Sequence, residues 1–461
     1  MASKFSGFAP VDKPAYVDYS RCIHCGLCLN HCPTYRLWHQ EADSPRGRIR
    51  QIQLVDEGRL ELAEDFVTHI DRCLDCRACE TACPSGVEYG KLVELARTQI
   101  EKQYERPLFS RVARDLVFRR LLPHPDRIAM AARFLRLYQR SGLAALARGT
   151  GILKLLGLQE RESLLPKIDS EFFFTALGKT FPPQGARRAR VAFFAGCVAQ
   201  VTFSDLNRAT IRVLQANGCE VVVPARQVCC GALQAHAGVR DVARDLARTN
   251  FTAFADQDFD AIVTNAAGCG STLKEYPHLF PAGVPNDHSA HEQATRFTSK
   301  VRDVTEFLAD LGMSAPLRAL PLRVTYQDSC HLAHGQKIRE APRALISAIP
   351  EIEIVEMQLA DQCCGSAGVY NVTETKASLQ LLALKMECVR ETKAQVIVTA
   401  NPGCILQLRA GAAIHNTGQE VLHVLELLDR AIASNGTTVC RTAAGDVTRT
   451  EIRPAQRSSI S

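Results

Sequence analysis

The sequence predicts a multidomain protein of the α plus α/β class, in which an all-α domain precedes two pseudo-symmetric α/β modules. Two cysteine runs near the N-terminus lie among segments with helical periodicity, and the second half repeats a strand–helix order together with its cysteines. A basic stretch joins the two halves. We therefore expect a helical domain over 1–104, a basic helical connector and linker over 105–188, α/β modules over 189–318 and 319–435, and a flexible tail over 436–461.

The two N-terminal cysteine runs share one spacing. Each reads C-x2-C-x2-C-x3-C followed by proline, which is the spacing of bacterial [4Fe–4S] sites. In proteins with two such runs, the fourth cysteine of one run binds the cluster that the other run holds. This exchange predicts Cys22, Cys25, Cys28 and Cys83 as ligands of cluster 1, and Cys73, Cys76, Cys79 and Cys32 as ligands of cluster 2.

A zinc site is the alternative interpretation of one such run, because zinc is also held by four thiolates. Two intact runs, with Pro33 and Pro84 in register, favour iron–sulfur clusters instead. The sequence therefore predicts a protein that moves single electrons.

The spacer between the runs predicts helices. Ser44 is a suitable N-cap and Pro45 a suitable first helical residue. The 40 residues of the spacer are many more than in a compact β-type ferredoxin, and the arrangement is similar to the all-α ferredoxin domain of respiratory iron–sulfur subunits. Arg46, Arg48 and Arg50 either offset the negative charge of the clusters or form a solvated helix face.

Composition excludes several classes of protein. The chain has 19 cysteines but no secretory signal, so we expect a cytoplasmic protein with metal clusters and not a disulfide framework. No stretch approaches 20 uninterrupted apolar residues, so a membrane-spanning helix is not expected. The net charge of +6 is modest for 461 residues and does not indicate nucleic-acid binding.

The positive charge is concentrated in the connector. Nine arginines and two aspartates lie between Arg111 and Arg148, where apolar residues recur at three- and four-residue intervals. This pattern predicts helices whose surface contacts an acidic partner or, peripherally, the inner face of the cell membrane. The alternative is a basic connector without a further role.

The second half contains an internal duplication. The order strand, cysteine, helix, strand, Cys-Cys-Gly, helix, strand, cysteine occurs twice. The first cysteine and the pair are separated by 31 residues in one copy and 32 in the other, and the pair and the last cysteine by 38 and 39. Two agreements to within one residue predict two copies of one fold.

The cysteines of each copy follow three successive strands. In an open parallel sheet such residues meet at the carboxyl edge, where ligands bind, and four thiols suit a thiolate-selecting metal or a cluster. Candidate further centres are Cys330, Cys363, Cys364 and Cys404 and, in second place, Cys197, Cys229, Cys230 and Cys269. The alternative is a set of glycine-rich turns with buried thiols. His331 and His334 follow Cys330, and His236 follows Cys230; these histidines are candidates for hydrogen-bond donors, a ligand or structural turn residues.

The duplicated half resembles the cysteine-rich CCG domain of heterodisulfide reductases and related oxidoreductase subunits. That family closes each copy with C-x-x-C, whereas Ala266 and Asn401 stand here in place of the first cysteine of that pair. Each copy therefore lacks one of the five ligands that the resemblance implies.

Nearly the whole chain resembles the iron–sulfur subunits of bacterial glycolate oxidase (glycolate dehydrogenase). The most specific segments are Ser44–Arg48, Gln327–Gly335, Cys363–Asn371 and Ile397–Cys404. The resemblance implies an oxidoreductase complex in which two flavoprotein subunits hold FAD and oxidise glycolate to glyoxylate. This chain would hold the clusters and pass electrons to a quinone or another acceptor, and none of its residues would be catalytic.

Three other functions are compatible with the same residues. The first is an iron–sulfur subunit of an anaerobic glycerol-3-phosphate or lactate dehydrogenase complex. The second is a thiol or disulfide reductase whose repeated half is itself catalytic, although the missing fifth cysteine argues against it. The third is a scaffold stabilised by clusters or zinc that binds partners through the basic connector.

Overall fold

The structure, a computed structural model of the chain, describes residues 5, 7–155, 157–255, 258–281, 288–432, 438–441 and 447–450, the last two segments as backbone only. A helical N-terminal unit is followed by a helical connector and by two sheets covered with helices. This architecture confirms the predicted α plus α/β class. None of the described helices is long and apolar enough to cross a membrane.

Six helices of the N-terminal unit carry the two cysteine runs. They are α1 Tyr16–Tyr19, α2 Pro33–Trp38, α3 Pro45–Asp56, α4 Glu64–Asp71, α5 Ala78–Thr81 and α6 Tyr89–Gln103. Ser44 caps α3 by accepting a hydrogen bond of 3.0 Å from the Gly47 amide, as its position predicts. Ile52, Phe66 and Leu92, from three of these helices, form a buried core. The cysteine loops are therefore attached to packed helices.

The connector is helical and lies against the first module. Its helices are α7 Leu108–Arg114, α8 Pro125–Arg140, α9 Leu143–Gly149, α10 Ile152–Leu155 and α11 Gln159–Ser163, with a π-helical segment Asp115–Leu121 after α7. Phe118, Ile128 and Ala132 face inward and pack with Val201 and Val239 of the first module. One face of the connector is therefore buried.

Each α/β module contains a parallel sheet. The first module comprises β1 Thr180–Phe181, β2 Ala189–Phe194, α12 Ala199–Thr202, α13 Ser204–Ala216, β3 Cys219–Val222, α14 Ala232–His236, α15 Arg240–Ala255, β4 Ala261–Thr264, α16 Ala267–Lys274, α17 Tyr276–Leu279, α18 His288–Lys300, β5 Val301–Asp303 and α19 Val304–Leu311. The second comprises β6 Arg323–Tyr326, α20 Glu340–Ser347, β7 Glu353–Ile354, α21 Tyr370–Thr373, α22 Thr375–Thr392, β8 Val396–Thr399, α23 Pro402–Ile414, β9 Glu420–His423 and α24 Val424–Ala431.

The strand order shows the duplication. The parallel strands follow the order β3-β2-β4-β5 in the first module and β7-β6-β8-β9 in the second. In both, the first of these parallel strands, β2 or β6, is central, and the second, β3 or β7, ends the parallel row. Each module also has a fourth parallel strand, β5 or β9, which the sequence did not predict.

The two modules share one hydrophobic core. Phe193 of the first sheet, Tyr326 and Val398 of the second, and Leu428 of α24 belong to the same buried cluster. One continuous buried cluster therefore spans the boundary between the modules, while a second cluster lies within the first module alone.

The C-terminal segments differ from the flexible tail expected over 436–461. β10 Thr438–Arg441 and β11 Val447–Thr450 form an antiparallel pair that joins the first sheet through β1. The rest of that tail lies outside the described residues. The domain boundaries stay predictions.

Candidate metal centres

The four cysteines predicted for cluster 1 line one cavity. Cys22, Cys25 and Cys28 come from the loop between α1 and α2, and Cys83 comes from the segment after α5. The cavity holds about 420 Å³ of space that protein atoms do not fill, part of it open to solvent. Cys25 is exposed, unlike every other cysteine whose side chain the structure describes. This cavity therefore combines four thiols with one open side.

The four cysteines predicted for cluster 2 line a second cavity. Cys32 precedes α2, Cys73 and Cys76 precede α5, and Cys79 is in α5. All four are buried. Cys79 also lines the first cavity, so the two cavities are adjacent. The structure therefore groups the thiols crosswise, with the last cysteine of each run at the other run's cavity.

Polar groups reach the sulfurs of the second cavity. The Tyr89 hydroxyl donates to the Cys73 sulfur at 3.6 Å, and the Asp75 amide donates to the same sulfur at 3.3 Å. The Thr34 hydroxyl lies 3.2 Å from the Cys32 sulfur. Hydrogen bonds to sulfur stabilise thiolate ligands and tune an iron–sulfur centre, so this donor set fits one.

The three arginines of α3 have different roles. Arg48 is buried, lines the second cavity and lies 3.4 Å from the Asp43 carboxylate. Arg46 lines the first cavity and pairs with Glu41 at 2.7 Å. Arg50 is exposed and donates to Gln53. Arg46 and Arg48 therefore lie at the cavities, where charge compensation requires them, whereas Arg50 lies on a solvated helix face.

The first module brings its four cysteines to the carboxyl edge of its sheet. Cys197 follows β2, Cys229 and Cys230 follow β3, and Cys269 lies in α16, directly after β4. The Cys197 sulfur is 3.3 Å from that of Cys229, and this hydrogen bond together with burial raises the pKa of Cys197. Crowded, buried thiols ionise together only when a cation compensates their charge, which fits a metal centre.

The second module places its cysteines in the same way. Cys330 follows β6, Cys363 and Cys364 follow β7, and Cys404 lies in α23, after β8. The hydrogen bond with Cys363 is the main cause that raises the pKa of Cys364 to about 12. Gly365 of the Cys-Cys-Gly turn has φ +90°, and a Cβ there would lie 2.5 Å from the Ser378 carbonyl oxygen. Only glycine fits this turn.

The second cavity adjoins the second module. Leu74 and Cys76 pack in one apolar cluster with Cys363 and Tyr370, and Cys330 lies against the same cluster. The thiols predicted for cluster 2 are therefore next to those of a candidate further centre.

Asn401, which replaces the missing cysteine of the second module, joins the two modules. Its side-chain amide donates to the Cys404 sulfur at 3.4 Å, and its carbonyl oxygen accepts a hydrogen bond of 3.3 Å from the Gly268 amide. Gly268 directly precedes Cys269 of the first module. Asn401 therefore forms a polar link between the cysteines of the second module and those of the first.

A buried charged junction lies where the N-terminal unit meets both modules. The His236 Nδ1 is 2.9 Å from the Asp75 carboxylate and 2.8 Å from that of Glu94, and its ring stacks on His331 with 5.2 Å between centroids. Burial opposes protonation, but Asp75 and Glu94 raise the pKa of His236 to about 9. Burial and the charge of His236 lower the pKa of His331 to about 3. One imidazolium therefore faces two carboxylates.

Arg77 completes this junction. It is buried, contacts Glu94 at 3.3 Å, lies 3.7 Å from Asp75 and forms a close ion pair with Glu275 of the first module. The sequence predicted a role for His236 and His331 but not for the acidic residues or Arg77. No sequence motif connects positions so far apart in the chain. His334 has a separate environment and lies 2.9 Å from the Thr81 hydroxyl.

Three known protein families match four parts of this chain. The 4Fe-4S dicluster domain matches residues 18–87, and the cysteine-rich CCG domain matches residues 191–274 and 324–409. The family described as "Glycolate oxidase iron-sulfur subunit, linker region" matches residues 109–165. These ranges cover the cysteine runs, the connector and both modules.

Curated relatives extend over nearly the whole length. A probable glycolate oxidase iron–sulfur subunit from Bacillus subtilis is 42% identical over 414 residues, which cover 88% of this chain and 92% of that protein. This chain belongs to the family of glycolate oxidase iron–sulfur subunits. The glycolate oxidase iron–sulfur subunit from Escherichia coli is 32% identical, over 89% of this chain and 93% of that protein. Membership confirms the resemblance, and the matched domains support iron–sulfur clusters as cofactors.

A relative with a different name covers half of the chain. Lactate utilization protein A from Geobacillus thermodenitrificans is 32% identical over 243 residues, which cover 52% of this chain and 98% of that protein. This member of the family thus shares half of its length with a protein named for another 2-hydroxy acid.

Proposed function

We propose that this chain is the electron-transfer subunit of a glycolate oxidase complex and that it holds two [4Fe–4S] clusters. The observation that carries the proposal is the pair of adjacent cavities, each with four cysteines. A bound [4Fe–4S] group accepts and releases one electron at a time. The assigned ligands are Cys22, Cys25, Cys28 and Cys83 for cluster 1 and Cys73, Cys76, Cys79 and Cys32 for cluster 2.

The residues around the second cavity support this role. Their burial excludes water from the thiols, and the Arg48 guanidinium offsets negative charge beside them. The Tyr89 hydroxyl and the Asp75 amide donate to Cys73. Burial and hydrogen bonds to sulfur set the reduction potential of such a centre.

The oxidation of glycolate is assigned to two flavoprotein partner subunits that hold FAD, with a quinone or another acceptor receiving the electrons. In the anaerobic complete complex, glycolate is expected to bleach the cluster absorbance and to produce two interacting EPR signals. The isolated chain with glycolate should show neither change, because the substrate site lies on a partner. Faster reduction of the complex by lactate or glycerol-3-phosphate than by glycolate would contradict the assignment and favour the corresponding alternative.

We also propose a third centre at the second module, held by Cys330, Cys363, Cys364 and Cys404. The proximity of Cys76 to Cys363 favours this module over the first. The double variant Cys363→Ser and Cys364→Ser is expected to lose one EPR signal and all iron beyond about eight atoms, the content of two [4Fe–4S] clusters. The matched variant Cys229→Ser and Cys230→Ser should keep that iron. An iron content of about eight atoms in the unmodified protein would contradict a third iron–sulfur centre.

The outer face of the connector is proposed to contact an anionic membrane surface. Phe109, Phe134 and Leu155 are 86%, 67% and 85% exposed, and neither Arg111 nor Arg133 forms an ion pair with a described residue. Exposed aromatic and aliphatic residues next to unpaired arginines suit the interface of anionic lipids. This contact would place the chain peripherally at the inner face of the cell membrane.

Vesicle flotation tests the membrane contact. The complete chain should float with vesicles that contain anionic lipid, and less of it should float at high salt. The double variant Phe109→Ser and Phe134→Ser should bind these vesicles at least about tenfold more weakly, because it loses apolar area that the lipid would bury. Ile414→Ser, at an exposed position of the second module, is the matched control. Equal flotation of all three proteins would contradict the proposal.

A further inference from the structure

We infer that the surface around Cys25 is the docking face for a flavoprotein subunit, an inference that rests on the proposed electron-transfer function. This surface, the cluster 1 rim, is formed by exposed residues of the first cysteine loop and by the proline after the second run. Its members are Arg21, Ile23, His24, Cys25, Leu27 and Pro84.

Access to the thiols distinguishes the two cavities. The thiols of the second cavity are buried, and Cys363 and Tyr370 pack beside Cys76. The first cavity is open to solvent on the side of Cys25. Electron transfer between proteins weakens steeply with distance, so a partner must approach a redox group where the covering protein layer is thin. Of the two cavities, the first satisfies this condition.

The rim has the apolar centre of a protein interface. Ile23 is 69% exposed and Leu27 is 58% exposed, and neither belongs to an apolar core of the described structure. Both lie within four residues of Cys25 on one short loop. Exposed apolar residues next to a functional group are typical of a surface that a partner covers.

The charge of the rim defines the partner further. Arg21 is exposed and forms no ion pair with any described residue, and the rim contains no acidic residue. The nearby Glu41 is already paired with Arg46. The complementary face is therefore an apolar patch bordered by carboxylates, close to the flavin of the partner.

The small size of the rim is typical of an interface with an electron-transfer partner. A loop of a few residues forms a small interface, and electron-transfer encounters lie at the small end of the range for protein interfaces. The connector also exposes apolar residues, but its inner face packs on the first module and not on the first cysteine loop. The two surfaces can therefore be tested independently.

The test measures binding of the purified flavoprotein subunits to the immobilised, cluster-loaded full chain under anaerobic conditions. Leu27→Asp is expected to raise Kd at least about tenfold, because it places a charge in the apolar centre of the interface. Arg21→Glu should raise Kd most at low salt, because it repels a carboxylate border. The matched control is Ile414→Asp, at an exposed apolar position 44% accessible in the second module.

Iron content and dithionite-reduced EPR spectra separate loss of docking from loss of the clusters. Loaded Leu27→Asp and Arg21→Glu chains that bind as the wild type does would overturn the inference and leave the proposed function intact. If Phe109→Ser loses binding while Leu27→Asp and Arg21→Glu keep it, the flavoprotein subunit docks on the connector and the inference is overturned. A wild-type chain that binds no flavoprotein subunit would overturn the proposed function together with this inference.

Discussion

Replacing Cys73 with alanine is expected to remove about four of the roughly eight irons of the two N-terminal clusters. Cys73 is buried in the second cavity, and its sulfur accepts hydrogen bonds from Tyr89 and from the Asp75 amide. The methyl group of alanine cannot replace a thiolate ligand. The EPR signals of the two N-terminal clusters should change from an interacting pair to a single signal, and electrons from glycolate should no longer reach the acceptor.

Cys388→Ala is the matched control for this change. Cys388 is partly buried in α22, outside both cavities and outside the repeated cysteine positions. It should keep the full iron and sulfide content and both signals. An iron content of Cys73→Ala equal to that of the wild type, or bound zinc without sulfide in the wild type, would show that the second cavity does not hold an iron–sulfur cluster.

Replacing Arg77 with methionine is expected to lower the free energy of unfolding by about 3–5 kcal/mol, the usual cost of leaving buried charges without their partner. Methionine replaces the aliphatic part of the side chain but leaves Glu94 and Glu275 without this cation. The effect should be visible as a lower denaturation midpoint of the cluster-loaded chain. Arg120→Met, which removes an exposed pair with Asp115, should cost less than about 1 kcal/mol.

The pH dependence of the Arg77 effect has a defined sign. Burial opposes ionisation of Glu94, but His236 and Arg77 hold its pKa below the ordinary value of 4.5. A lowered carboxyl pKa stabilises the folded state above the unfolded pKa, and this contribution is lost as the pH falls through the folded pKa. The free energy of unfolding should therefore differ most between wild type and Arg77→Met at pH 7, and this difference should shrink below about pH 4.5. A difference that does not change with pH would contradict this origin.

Local patterns predicted most of the repeated half. The apolar run Val191–Ala195 predicts a strand, which is observed as Ala189–Phe194, and the pattern over Lys376–Thr392 predicts a helix, which is observed as Thr375–Thr392. The fourth parallel strand of the first module was missed because Val301–Asp303 is only three residues long and ends in two charged residues. So short a segment has no apolar run or alternation that would distinguish it from a loop.

The sequence by itself determined the redox class, because the spacing of the two cysteine runs is a local property of short loops. It also determined the duplication, which appears as equal intervals along the chain. Tertiary structure alone decided that Cys76 lies beside Cys363, that Asn401 reaches Gly268, and that His236 faces Asp75 and Glu94. These residues come from segments far apart in the chain. Only the packing of the N-terminal unit against two modules with a shared core brings them together, and no periodic pattern records such packing.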